Sequence, residues 1–178
     1  MKKQLLITLF CFVCICITNA QEITKPVGKQ TTFGFKVGLS GNHFGNQFND
    51  SFTGVEFYAG LFLETSLSEN FSIQNELLFS TFTDSYDFIE VPILLKYKIS
   101  DKFSLFAGPK LDFLINESND LFQFKPLGIS AEIGVQYNIS KRFFLEGRYS
   151  HSFTKQVNVR SGSSEALRTL RFGVGFRF

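Results

Sequence analysis

The 178-residue chain has no tryptophan, one methionine, two histidines and four prolines, and its three cysteines all fall between positions 11 and 16. Beyond Cys16 there is no thiol, which excludes a disulfide scaffold, a cysteine nucleophile and a thiolate metal site in that part. His43 and His151 stand 108 residues apart, far from the short spacings of imidazole ligand pairs, so neither a metal nor another cofactor is expected. Charge is scarce too, at 19% of residues against about a quarter in an ordinary soluble domain. The net charge of +2 comes from Lys2 and Lys3 alone, because residues 21–178 hold 16 basic and 16 acidic side chains. Without a basic block there is no electrostatic case for nucleic acid or an anionic surface. No helical period runs through the chain, so no glycine loop opens a helix that would cradle a phosphate.

What the chain does have is phenylalanine, 24 residues of it, and glycine, 14 residues. The length fits one domain with a sizeable core. At the N-terminus Lys2 and Lys3 precede an apolar run from Leu5 to Ile17, and Thr18-Asn19-Ala20 follows with a small residue before Gln21. This is the layout of a secretory signal peptide over 1–20. The run of 13 residues is shorter than the roughly 20 of a membrane anchor. Phe10, Val13 and Ile15 precede the cysteines, where a lipoprotein signal needs a small residue. Residues 21–178 are then one exported domain, with 21–30 as its N-terminal tail.

Beyond residue 30 the pattern has period two, the period of strands. Eight stretches carry it: 31–40, 54–65, 71–82, 87–98, 103–114, 127–138, 143–153 and 167–178. Each suits a tilted strand crossing a bilayer, which needs about 9–11 residues. One parity class holds 42 positions, of which 38 are aliphatic or aromatic. In the interleaved class of 34, only Tyr58, Phe62, Leu78, Leu94, Phe106 and Phe144 are of that kind. Three segments share an apolar-Ser-polar-polar-Phe pattern: Leu67–Phe71, Ile99–Phe103 and Ile139–Phe143. They predict tight hairpins on one rim. The other rim has longer connections at 41–53, 115–126 and 154–166, with 83–86 short. Short turns on one side and long loops on the other belong to an outer-membrane barrel.

Alternation alone does not say which face points outward, but volume does. An eight-stranded barrel is only wide enough to be filled by its own side chains. The apolar class contains twelve Phe, whereas the polar class contains Gly34, Gly38, Gly60, Gly108, Gly134, Gly173 and Gly175. The apolar face therefore looks out, and only lipid tolerates that much of it. The fold class is an all-β, eight-stranded antiparallel transmembrane β-barrel with outer-membrane lipid around it. Lys36, Glu56, Glu76, Glu90, Lys96, Lys110, Asp112, Glu132, Glu146, Arg148, Arg171 and Arg177 then face the lumen, six of each sign. Equal numbers predict a self-compensating network, with an ion pathway as the functional alternative. Phe71, Tyr97, Phe103, Tyr137, Phe143 and Phe178 fall near the short-turn rim as an interfacial girdle.

Several strings resemble those of the small PorT-like outer-membrane β-barrel family. They are Glu90-Val91-Pro92-Ile93-Leu94-Leu95-Lys96-Tyr97, Gln74–Ser80, Ala107-Gly108-Pro109 and Glu146–Ser150. The terminal Phe172-Gly173-Val174-Gly175-Phe176-Arg177-Phe178 is similar to the strand read by the barrel-assembly machinery. On that resemblance Phe172, Phe176 and Phe178 form an assembly signal and that machinery is a partner. The resemblance implies architecture and a bacterial outer-membrane location, and no activity.

Function is weakly written. Gly41–Phe44, Gly45–Phe48 and Asn49–Phe52 are three tandem units, each ending in Phe. Their Gly and Asn residues predict successive turns. Phe44, Phe48 and Phe52 either rest on the barrel mouth or form an exposed patch for a surface or envelope protein. His151-Ser152 suggests a barrel-embedded lipid hydrolase or acyltransferase, but parity sends the two side chains to opposite faces. The leading expectation is a non-enzymatic envelope protein with loop-mediated interactions; a narrow porin-like channel and the lipid enzyme stay open as alternatives.

Overall fold

The computed structural model describes residues 30–44, 51–82, 86–117, 122–124, 126–154, 157–159, 164–165 and 168–178. Residues 1–29, on which the expected signal peptide and most of the expected N-terminal tail fall, lie outside them. In chain order the strands are β1 (Thr31–Phe44), β2 (Ser51–Ser66), β3 (Phe71–Phe82), β4 (Tyr86–Lys98), β5 (Phe103–Glu117), β6 (Phe122–Phe124), β7 (Leu127–Asn138), β8 (Phe143–Ser152), β9 (Val157–Val159), β10 (Ser164–Glu165) and β11 (Arg168–Arg177). Eight of them close an antiparallel barrel in the order β1-β11-β8-β7-β5-β4-β3-β2. Closure between β1 and β11, from Gly34↔Arg177 to His43↔Arg168, removes the free edges that an open sheet would expose. All eight stretches of alternation are barrel strands.

The three repeated segments make one hairpin three times. In each the apolar and Ser amides donate to the Phe carbonyl: Leu67 and Ser68 to Phe71, Ile99 and Ser100 to Phe103, Ile139 and Ser140 to Phe143, at 2.8–3.1 Å. The Ser hydroxyl in turn accepts from the Phe amide at 3.0–3.1 Å. The apolar parity class faces outward, with Leu61, Ile133 and Phe172 each more than half exposed. Rings form a belt at the short-turn rim: Phe71–Tyr97 at 5.0 Å, Phe103–Tyr137 at 4.9 Å, Phe143–Phe176 at 4.9 Å and Phe33–Phe178 at 4.8 Å between centroids.

The long-loop rim departs from the expectation in two places. Where 41–53 reads as successive turns, β1 continues to Phe44 and β2 starts at Ser51, paired Phe44↔Ser51. The register passes from Gly41↔Val55 to Asn42↔Thr53, leaving Gly54 as an extra residue. Such a bulge breaks the period of two that marks a strand, so the sequence pattern ends before the strand does. Segments 115–126 and 154–166, read as loops, contain the end of β5 and a second sheet in the order β10-β9-β6. Its pairs Phe122↔Val159, Phe124↔Val157 and Ser164↔Asn158 join two connections into one body. Strands of two or three residues are too short to carry a periodic signal.

Candidate functional site in the barrel lumen

Alternation delivers one side chain in two from each strand to the lumen, and bulk there is arranged in pairs. Tyr58, Phe62, Leu78, Leu94, Phe106 and Phe144 each lie over a glycine of a neighbouring strand. A Cβ on Gly173 would meet the Tyr58 hydroxyl, one on Gly134 the Phe106 ring, and one on Gly175 the Phe144 ring. Glycine permits that close approach because nothing projects from its backbone. Tyr86 and Phe88, which the eight stretches do not assign inward, are also buried. Aromatic faces carry the cations: Lys36 Nζ is 5.2 Å from Phe62 and 5.6 Å from Phe144, the Arg148 guanidinium 5.0 Å from Phe106, and the Arg171 guanidinium 5.1 Å from Tyr58. Desolvated contacts of this kind contribute about 2 kcal/mol each.

The charges form three tiers. In the middle tier Arg148 donates to Glu76 at 2.9 and 3.1 Å, to Glu132 at 2.7 Å and to Glu146 at 2.9 Å. Lys36 bridges Glu76 and Glu146 at 2.8 Å each, and Tyr58 donates to Glu146 at 3.0 Å. Towards the long-loop rim, Arg171 grips Glu90 at 2.6 and 2.5 Å, and Lys110 reaches Glu90 at 2.9 Å and Asp112 at 3.0 Å. The hydroxyls of Ser80 and Ser130 donate to Glu90 and Asp112 respectively. Glu56 is buried near the same end, opposite Ser40 on β1. Towards the short-turn rim, Lys96 donates to Glu64 and to Gln74 at 2.9 Å each, while Arg177 lies 3.9 Å from Glu64 and donates to Asn138 at 3.0 Å.

Of the twelve charges that parity assigns to the lumen, eleven are buried and Arg177 is half-buried. Glu64 joins them although the alternating run in β2 breaks just before it at Leu63; one more step of two would have found it. Tyr58, Gln74, Ser80 and Ser130 are partners that parity places inward, and in the folded barrel each donates to a carboxylate. A polar basin of about 130 Å³ lies at the short-turn mouth, lined by Glu64, Ser72, Lys96, Asn138 and Arg177 among others. Above it Phe62 and Phe144 meet edge to face at 5.5 Å, and Lys36, Tyr58, Leu78, Leu94 and Phe144 have no accessible surface.

The other sequence candidates do not converge on this network. His151 is half-buried against Phe153, at 6.0 Å between rings, while Ser152 points inward and donates to the Thr154 carbonyl at 2.9 Å. Phe172 and Phe178 are exposed on the lipid side and Phe176 is half-buried in the ring belt. Phe44 and Phe52 lie on the backbone of β1 and β2. Phe48, and the side chains of all three, fall outside the described residues.

Residues 19–158 match the family model described as outer membrane protein beta-barrel domain. Among solved structures, Ail, the attachment invasion locus protein of Yersinia pestis, superposes with a TM-score of 0.52 at 12% identity, over 84% of this chain and 99% of that one. A second Ail structure, in complex with the heparin analogue sucrose octasulfate, gives 0.54 at 13% identity over 84% and 99%. Neisserial surface protein A gives 0.54 at 12% identity over 84% and 99%. No curated protein matches the chain in sequence.

Proposed function

Starting from a chain that belongs to the outer membrane protein beta-barrel domain family, and so is an envelope barrel of the bacterial outer membrane, we propose a non-enzymatic surface role carried by the elements above the long-loop rim. The observation that carries this reading is the filled lumen: its middle tier is buried and ion-paired, which leaves the outer elements as the chemical surface open to a partner. Sheet β10-β9-β6 supports it, because two connections that pair with each other present one body to a partner. Phe44, Phe48 and Phe52, in the segment of the sequence that joins β1 to β2, supply apolar anchors for a surface or envelope protein partner. The word "attachment" in the description of Ail fits the same reading, through likeness of fold alone. Ser152, bonded to a backbone carbonyl and turned away from His151, favours no catalytic alternative. Within the family, the strings around Glu90–Tyr97 favour kinship with PorT-like members, and the Phe172–Phe178 ending favours recognition by the barrel-assembly machinery.

The test is a binding screen with cells displaying the full chain, against purified envelope and surface proteins and glycans. A variant with 118–126 and 155–166 replaced by short Gly-Ser connections loses the partner but keeps the folded barrel's gel mobility before boiling. Unchanged capture by that variant sinks the reading.

A further inference from the structure

The outer wall carries a groove of about 530 Å³ across β3, β4, β5, β7 and β8. Two rows of cross-strand neighbours border it. The lower row runs Phe71↔Tyr97↔Leu105↔Val135↔Gly147. The upper row runs Leu95↔Ala107↔Ile133↔Tyr149. Phe71 is the first residue of β3, whereas Gly147 is the fifth of β8, so the lower row climbs from the short-turn rim towards mid-wall. Four interstrand steps of about 4.8 Å give a length of roughly 19 Å. With strands tilted about 40°, the groove rises about 12 Å, most of one leaflet of a core about 30 Å thick. Ala107 and Gly147 form its low floor between larger neighbours.

The rim below this groove is polarised. Residues 98–102 and 139–142 contribute Lys98, Lys102, Lys141 and Arg142 against one acid, Asp101, all of them exposed. Asp101 is engaged by Lys98 at 2.7 Å. The neighbouring turn at 67–70 carries only Glu69. The chain's overall neutrality, from which no attraction to an anionic surface is expected, therefore conceals a local basic arc at headgroup level. Tyr97 and Tyr137 of the ring belt sit between that arc and the hydrocarbon.

We propose that this groove seats an acyl chain of one anionic phospholipid of the periplasmic leaflet, with its phosphate held by the arc of Lys98, Lys102, Lys141 and Arg142. Apolar length and cationic headgroup contacts occur on the same strands, in the order in which a phospholipid presents them. Each cation near an anionic surface changes binding by roughly fivefold. The atoms nearest to a Cβ added on Gly147 are side-chain atoms of Phe172 and Val135, at 3.5–3.8 Å, an ordinary contact distance, so Gly147→Phe is the substitution chosen to fill the groove.

The experiment is native mass spectrometry of the full exported chain in mild detergent, with equal amounts of phosphatidylglycerol and phosphatidylcholine added. One phosphatidylglycerol is expected to remain on each chain at collision energies that strip phosphatidylcholine. Lys102→Gln with Lys141→Gln should lower its retention roughly 25-fold, and Gly147→Phe at least about tenfold, the length contribution of several methylenes. The folded barrel's mobility before boiling identifies variants that assemble, and Ala107→Leu replaces Gly147→Phe if the latter does not. Equal retention of both lipids, retention unaffected by either groove variant, or a lipid-free dimer formed through this wall would each overturn the proposal.

Discussion

Arg148 on β8 and Glu76 on β3 meet through two hydrogen bonds, at 2.9 and 3.1 Å, across the full width of the barrel. In the strand order these two are four apart out of eight, that is, diametrically opposite. Arg171 on β11 and Glu90 on β4 are opposite in the same sense and also joined twice. The lumen is thus braced across its diameter by two bidentate guanidinium–carboxylate pairs, the geometry for which arginine is suited and lysine is not.

Removing one end of such a brace leaves buried carboxylates without their cation. Arg148→Met should lower the unfolding free energy by about 3–5 kcal/mol, read as a shift of the urea midpoint in lipid vesicles. Adding Glu76→Met should recover part of that loss, because the uncompensated charge goes with its partner. A double variant as unstable as the sum of the two single ones would remove the brace from the account of stability.

The faces of the strands were legible in the sequence, since period two names them residue by residue. The braces were not. Parity puts Arg148 and Glu76 inside but says nothing about which strand lies opposite, which follows from strand number and closure. Glu64 was missed for a different reason: its run breaks at the polar stretch Glu64–Ser66, one step beyond Leu63. Sheet β10-β9-β6 left no trace because its strands span two or three residues. The Gly54 bulge hid the extension of β1 and β2 by breaking the very alternation that marks a strand.

Gly175 and Phe144 are cross-strand partners, and the atoms nearest to a Cβ added on Gly175 are all ring atoms of Phe144. Gly175→Ala should therefore destabilise by about 1–3 kcal/mol through overpacking. In a Phe144→Leu background the same change should be markedly cheaper. Equal penalties in both backgrounds would show that the ring and the glycine are not coupled.

On the outer wall, Leu61→Arg and Val135→Lys place a cation in hydrocarbon on a face that is more than half exposed. Each should cost about 2–4 kcal/mol near mid-bilayer and less in proportion towards the rims. Val135→Leu should be close to neutral. Refolding into vesicles from urea checks the set, and equal stability of the Lys and Leu variants would reverse the assignment of inside and outside.

Ser140 accepts hydrogen bonds from the amides of Arg142 at 3.2 Å and Phe143 at 3.0 Å in an exposed turn. Ser140→Ala should cost about 0.5–1 kcal/mol. Ser68→Ala and Ser100→Ala should cost similar amounts, since each hydroxyl accepts from the equivalent Phe amide at 3.1 Å. A spread of several kcal/mol among the three would contradict the equivalence of these hairpins.

The intact protein should give no steady large-conductance pore in a planar bilayer. An ion entering from the short-turn mouth reaches the basin beside Glu64, Lys96 and Arg177 and then meets the Phe62–Phe144 layer. Beyond that layer it would have to separate Lys36 from two carboxylates and Arg148 from three, all without accessible surface. Separating buried pairs costs several kcal/mol per charge, whereas conduction requires binding weak enough for the ion to leave. Widening the layer is the informative perturbation. Phe144→Ala opens space above the basin but leaves the diametric Arg148–Glu76 brace, so it should enlarge the polar basin without producing current. Phe144→Ala combined with Arg148→Ala and Glu76→Ala removes layer and brace together, and small cation-selective currents are then expected from the remaining acids. Steady currents from the unaltered protein, abolished by Arg148→Ala with the barrel still folded, would make the lumen the functional element and transfer the argument from the outer loops to the charge tiers.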